Sequence, residues 1–211
     1  MDQVRIVCQG QAVASERRLK QAEFPRVKEL SSYRFADVPK LNKKYVLDLA
    51  RCQFIDSKTH LVIRGPPGTG KTHRASAFGR AACQRGYTVK FFTAARLVNT
   101  YLEARQERTI LKLEKTIRRC PLVIVDELGY LPLDRMGAEH LFGFFSQCYE
   151  QTSLIVTTNL PFADWPQGLA NDERLAGALL DRLTHHVHIL EIVGDSYRLK
   201  SSLDQDKKRQ E

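Results

Sequence analysis

Eight consecutive residues, Gly65-Pro66-Pro67-Gly68-Thr69-Gly70-Lys71-Thr72, have the types and spacing needed to hold a polyphosphate. They satisfy the pattern G-x-x-x-x-G-K-[ST] in full. Glycines let the backbone curl so that its N–H groups point at phosphate oxygens. A helix opening at Lys71 adds the positive end of its dipole. The Lys71 ammonium is then placed to reach the β- and γ-phosphates, and the Thr72 hydroxyl to bind Mg²⁺. The apolar run Leu61-Val62-Ile63 in front supplies the strand that such a loop requires.

A second set of groups lies further along. Asp126-Glu127 directly follows Leu122-Val123-Ile124-Val125. A carboxylate at the carboxyl end of a buried strand faces the crevice where ligands bind in α/β sheets. Asp126 fits the Mg²⁺-assisting role, and Glu127 the general base that polarises an attacking water. A base for water argues for hydrolysis over phosphoryl transfer to a small molecule. Asn159 ends the next strand; its amide could orient the lytic water, or it could form the turn before Pro161. Asn42-Lys43-Lys44-Tyr45 precedes the loop and lacks the aspartate of the guanine-reading N-K-x-D signature, which favours ATP over GTP. Arg182, in ALLDRLTHH, and Arg198, in GDSYRLK, could each reach a γ-phosphate from a neighbouring subunit. Taken alone, each reads more readily as a surface ion pair. His185, His186 and His188 lack the carboxylate or cysteine spacing that would complete a metal site. Trp165 reads as a loop anchor.

These groups need a scaffold, and the pattern of the chain supplies one. Strands are expected at 61–63, 88–92, 122–127, 153–158 and 187–192. Helices are expected at 71–85, 136–149 and 172–183, with a region at 94–119 broken near 105–109 into two. Strand alternating with helix implies a largely parallel five-stranded sheet with helices on both faces. Residues 1–58 are polar, basic and weakly patterned, with short helices expected at 15–23 and 41–50. The expected division is a shortened basic N-terminal helical segment (1–58), an ATPase core (59–201) and a charged tail (202–211).

Bulk properties narrow the class. In 211 residues the formal net charge is +9, which favours a polyanionic partner. Five scattered cysteines form no C-x-x-C pair, so neither a disulfide framework nor a zinc knuckle is indicated. No apolar run approaches membrane-spanning length, and the start, MDQVRIVCQGQ, lacks the apolar core of a signal peptide. A cytoplasmic location is expected.

GPPGTGKTH, DELGYLPLDRMGAEHLF, TTNLPFADW, ALLDRLTHH and GDSYRLK occur in this order. Together they resemble the IstB-type transposition helper ATPases of bacterial insertion sequences. These are AAA+ proteins related to the DnaC helicase loaders and, more distantly, to the DnaA initiator. The resemblance covers residues 24–201. It implies a P-loop AAA+ core in which Asn159 is the first sensor, Arg182 an arginine finger acting across a subunit interface, and Arg198 the second sensor. It implies ATP bound between subunits of a homo-oligomer that assembles on duplex DNA and recruits or regulates an IstA-type transposase.

The basic inventory agrees: eight Lys/Arg and three Glu lie between Lys90 and Arg119. Arg96, Arg105, Arg108, Lys112 and Lys115 are the expected DNA contacts, gripping phosphates without reading bases. Two departures from the family stand out: the N-terminal region is expected to be shorter than usual, and Arg74 replaces an apolar residue. The helical lid of AAA+ proteins is expected to be essentially missing, which is also the pattern of this clade. Arg74 is expected to snorkel or to loosen local packing. Rival readings are a DnaC-type helicase loader, distinguished by a preference for single-stranded DNA, and an ATP-binding module that no longer hydrolyses. A small-molecule kinase is disfavoured because no acceptor pocket is suggested.

Overall fold

The computed structural model describes residues 2–25 and 43–194. The described elements are α1 (Asp2–Ala22), α2 (Lys43–Leu49), α3 (Gln53–Asp56), β1 (His60–Arg64), α4 (Lys71–Gln84), β2 (Val89–Thr93), α5 (Ala94–Gln106), α6 (Ile110–Arg118), β3 (Leu122–Leu128), α7 (Arg135–Cys148), β4 (Ser153–Thr158), α8 (Trp165–Gly168), α9 (Glu173–Thr184) and β5 (Val187–Glu191). The strands pair in the order β2-β3-β4-β1-β5, and every pairing is parallel. All five carboxyl ends therefore lie along one edge of the sheet, and all five amino ends along the other.

Alternation along the central strands separates two cores. Leu61, Ile63, Ile124 and Ile155 face α1–α4, packing with Phe78, Cys83, Ile55 and Ala22. Val62, Val123, Val125 and Val156 face α5, α7 and α9, packing with Leu97, Leu141, Phe144 and Leu179. Strands buried on both faces read as nearly continuous apolar runs, which is why LVIVDE and SLIVTT were visible as strands. Thr93, Asp134 and Asp172 cap α5, α7 and α9 by accepting from Arg96, Gly137 and Leu175 N–H; such caps contribute about 1 kcal/mol each. The helix pair expected within 94–119 divides at Arg108, whose φ is 57°.

The N-terminal helix departs from expectation. It spans 21 residues, where only 15–23 was expected to be helical. Its apolar pattern is weak, and its carboxyl end is anchored by tertiary contacts. Phe24 packs edge-on against Phe91 and fits over Gly79, where a Cβ would lie 2.7 Å from its ring. Glu23 pairs with both Lys90 and Arg96. Trp165 is buried beside Phe162, as a loop anchor should be.

Candidate functional site

The phosphate loop joins β1 to α4 at the carboxyl edge. Gly68 and Gly70 adopt φ of 79° and 83°, conformations that residues with a Cβ rarely accept. Gly65 answers a different need: a Cβ there would lie 2.5 Å from the Ile192 carbonyl oxygen, where the chain leaves β5. Gly70 caps α4 without a side chain, so the first-turn N–H groups of α4 face the loop. Lys71 Nζ donates to the Gly65 and Pro66 carbonyls, both at 2.8 Å, and so lies across the mouth of the loop. Pro66 and Pro67 are exposed on its rim, and the Thr69 hydroxyl donates to the Pro66 carbonyl at 2.8 Å.

Arg74 is the correction on this side. It does not snorkel: it is 0% exposed, and its Nη1 donates to the Thr69 carbonyl at 2.8 Å. Burial lowers its pKa to about 10, so it remains a cation at neutral pH. The guanidinium braces the phosphate loop from beneath.

Facing the loop, β3 delivers its two carboxylates differently. Asp126 is 2% exposed, and its Oδ1 accepts from Thr72 Oγ1 at 3.1 Å and from Thr157 Oγ1 at 2.5 Å. Burial raises its pKa, opposed by the two hydroxyls and by the charge of Lys71. Glu127 is exposed, with φ of 61°. Between Val125 and Leu128 the β3–β4 register shifts, so Asp126 and Glu127 together oppose Thr157. This is a β-bulge, which turns one side chain out of the sheet. Backbone strain of this kind costs about 1–3 kcal/mol and collects at functional sites. Thr157 was missed in the sequence; the one available signal was a polar pair, Thr157-Thr158, ending a buried strand. Asn159 follows Thr158, whose carbonyl accepts from Gly65 N–H at 3.3 Å, so it shares this edge with the loop.

Thr72 and Asp126 therefore bring a hydroxyl and a carboxylate together beside Lys71. Hard oxygen donors of this kind suit Mg²⁺, so the residues fit the expected metal. No His/Cys/Asp/Glu cluster able to hold an ion occurs among the described residues.

Arg182 lies elsewhere. α9 runs back against the strand direction and ends just before β5, which places Arg182 at the amino edge. Its Nη1 donates to the Ala178 carbonyl at 2.8 Å, and its guanidinium lies 4.8 Å from the Phe142 ring centroid. With Lys58, His60, Tyr149, Glu150, His185 and His186 it lines a cavity of about 220 Å³. Arg198 lies outside the described residues.

The basic residues of α5 and α6 also divide. Arg105, Arg108, Lys112 and Lys115 are exposed around the α5–α6 junction, beside Leu111 at 76% exposure. Arg96, by contrast, is paired with Glu23 at the end of α1. Cys52, Cys83, Cys120 and Cys148 are free buried thiols. No helix among the described residues is long and apolar enough to cross a membrane.

Residues 6–205 match the family model described as IstB-like ATP binding protein. The chain is 41% identical over 185 residues to an insertion sequence IS21 putative ATP-binding protein of Pseudomonas aeruginosa, covering 88% of this chain and 69% of the relative. It is 36% identical over 208 residues to the IS5376 putative ATP-binding protein of Geobacillus stearothermophilus, covering 97% and 81%. Among solved structures, AMPPCP-bound DnaA from Aquifex aeolicus superposes with a TM-score of 0.66 at 20% identity, over 88% of this chain and 56% of that one. The DnaC helicase loader gives 0.60 at 21% identity, over 83% and 99%. The fold is that of the DnaA and DnaC structures, and this chain belongs to the IstB-like ATP-binding protein family.

Proposed function

We propose that this protein is a DNA-stimulated ATPase that assists transposition, assembling on duplex DNA with ATP and recruiting or regulating a transposase. The observation that carries the catalytic half is the pairing of Thr72 with Asp126 beside Lys71, with Glu127 turned outward by the bulge one residue on. The loop N–H groups and Lys71 hold the phosphates. Thr72 and Asp126 would hold Mg²⁺, which when bound neutralises charge on the phosphate oxygens. Glu127 takes the proton of the attacking water, and Asn159 helps to orient that water. Arg182 is at the wrong edge to serve the nucleotide of its own chain, which supports a role as a finger toward the nucleotide of a neighbouring copy.

The exposed cations Arg105, Arg108, Lys112 and Lys115 support a sequence-tolerant grip on phosphate backbone. The insertion-sequence names of the relatives support the transposition context. A helicase-loader role rests on likeness of fold to DnaC alone, and fold does not carry function.

The test is ATP turnover with and without long duplex DNA, with Glu127→Gln as the blank. DNA-stimulated turnover that vanishes in the variant is the expected result. No turnover under either condition, with ATP still bound, would remove hydrolysis from the reading. Stimulation by single-stranded DNA only would favour the loader.

A further inference from the structure

We infer that Thr157 is a positioning residue for hydrolysis: one hydroxyl couples the Asp126 carboxylate to the backbone of Glu127. The inference rests on the ATPase reading above. The Thr157 Oγ1 donates to Asp126 Oδ1 and accepts from the Glu127 N–H at 3.0 Å. A threonine hydroxyl has one proton and two lone pairs. With Asp126 ionised, that proton is committed to the carboxylate, which leaves a lone pair for the Glu127 amide. The orientation of one bond therefore dictates the other.

The bulge explains why a side chain is needed here. Val125 pairs with Val156 and Leu128 with Thr158, so two residues of β3 face Thr157 alone. An extra residue in a strand loses its place in the backbone ladder. The Glu127 amide finds its acceptor in the Thr157 side chain, and this bond supports the left-handed φ that turns the carboxylate outward. Thr157 is fully buried on a central strand, so its own rotamer is held by packing. Thr72, which also donates to Asp126 Oδ1, carries the link onward to the phosphate loop. Thr157 thus connects the Asp126 carboxylate to the Glu127 backbone amide through a single hydroxyl oxygen, without touching substrate.

The experiment combines amide hydrogen exchange with steady-state kinetics on the full chain. In the unmodified protein, the Glu127 amide is expected to exchange as slowly as the neighbouring strand amides of β3, although its side chain is exposed. In Thr157→Val, which keeps the shape and removes both bonds, exchange at Glu127 should quicken at least tenfold. kcat should fall at least tenfold, while affinity for a fluorescent ATP analogue in EDTA stays within threefold. Thr157→Ser, which restores the hydroxyl, should recover both exchange and kcat to within threefold of the unmodified protein.

Fast exchange at Glu127 in the unmodified protein overturns the inference without any variant, so a Thr157→Val chain that fails to fold does not shield it. Equal loss in Val and Ser overturns it as well, since packing alone would then explain the site. Absence of turnover in the unmodified protein instead defeats the ATPase reading, and the exchange results still decide whether Thr157 holds the bulge.

Discussion

At the carboxyl edge of the sheet, Lys71, Thr72, Asp126 and Thr157 are tied to one another or to loop carbonyls, and Arg74 braces the loop from a fully buried position. At the amino edge, His185 and His186 are exposed, and Arg182 and Lys58 line a cavity that Glu150 also lines, with neither cation in a described ion pair. One edge is held in place by these bonds, which suits the proposed ATPase site, because a site for developing charge must not rearrange during reaction. At the other edge Arg182 is held by the Ala178 carbonyl and the Phe142 ring and takes part in no described ion pair. In a parallel sheet the two edges lie a strand's length apart, so one copy cannot close its own site with Arg182.

The comparison is broken most directly by two inactive variants. Glu127→Gln should lower turnover by about 10²–10⁴-fold, and Arg182→Ala by about 10³-fold or more, each with ATP binding retained. Mixing the two should restore part of the activity, because some interfaces then pair an intact Glu127 with an intact Arg182. A mixture as inactive as its components would show that the two edges do not meet across copies.

A smaller effect tests whether the α5–α6 surface is a third region with its own task. Reversing charge with Arg105→Glu and Arg108→Glu should weaken duplex binding about tenfold or more and flatten its salt dependence, leaving ATP affinity unchanged. Fluorescence anisotropy at two salt concentrations measures both. DNA affinity equal to that of the unmodified protein would remove this segment from the DNA surface.

The edges should also answer pH with opposite signs. His60, at the amino end of β1, is buried, and its Nδ1 accepts from Leu154 N–H at 3.1 Å. Burial first, then the nearby His186, lowers its pKa from 6.5 to about 4. Its neutral form is the folded form, so its contribution is complete above pH 6.5 and is lost as pH falls through 4. That loss is about 3 kcal/mol, read as a steepening of the unfolding free energy against pH that His60→Gln should blunt.

Asp126 has its pKa raised, chiefly by burial. Its contribution is present below the ordinary carboxylate pKa near 3.8 and is lost as pH rises through the folded value. Asp126→Asn should therefore raise Tm at neutral pH while abolishing Mg²⁺-dependent turnover, the smallest stability effect of the set. A lower Tm in that variant would mean that the ionised carboxylate is a net stabiliser here.

Much of this was legible in the chain itself. The phosphate loop, the acidic pair at the end of β3 and the five strands each rest on contiguous residues, so local pattern sufficed. α5 and α6 showed as helical spacing with a gap, and the gap is where Arg108 turns left-handed. α1 was underestimated because its helicity depends on Phe24 and Glu23 docking onto β2, α4 and α5, contacts that no window of residues contains.

Local sequence determined where the phosphate loop and the acidic pair Asp126-Glu127 fall, and that a parallel sheet would present them along one edge. Pairing across the sheet decided the rest. The register shift between β3 and β4 buries Asp126, exposes Glu127 and recruits Thr157, because a bulge is a property of two strands and not of one. The passage of β5 beside Gly65 excludes a side chain there, and the direction of α9 carries Arg182 to the far edge. Arg74 became a brace for the loop because the Thr69 carbonyl lies within its reach once α4 is packed, a fact of three-dimensional distance that spacing along the chain does not encode.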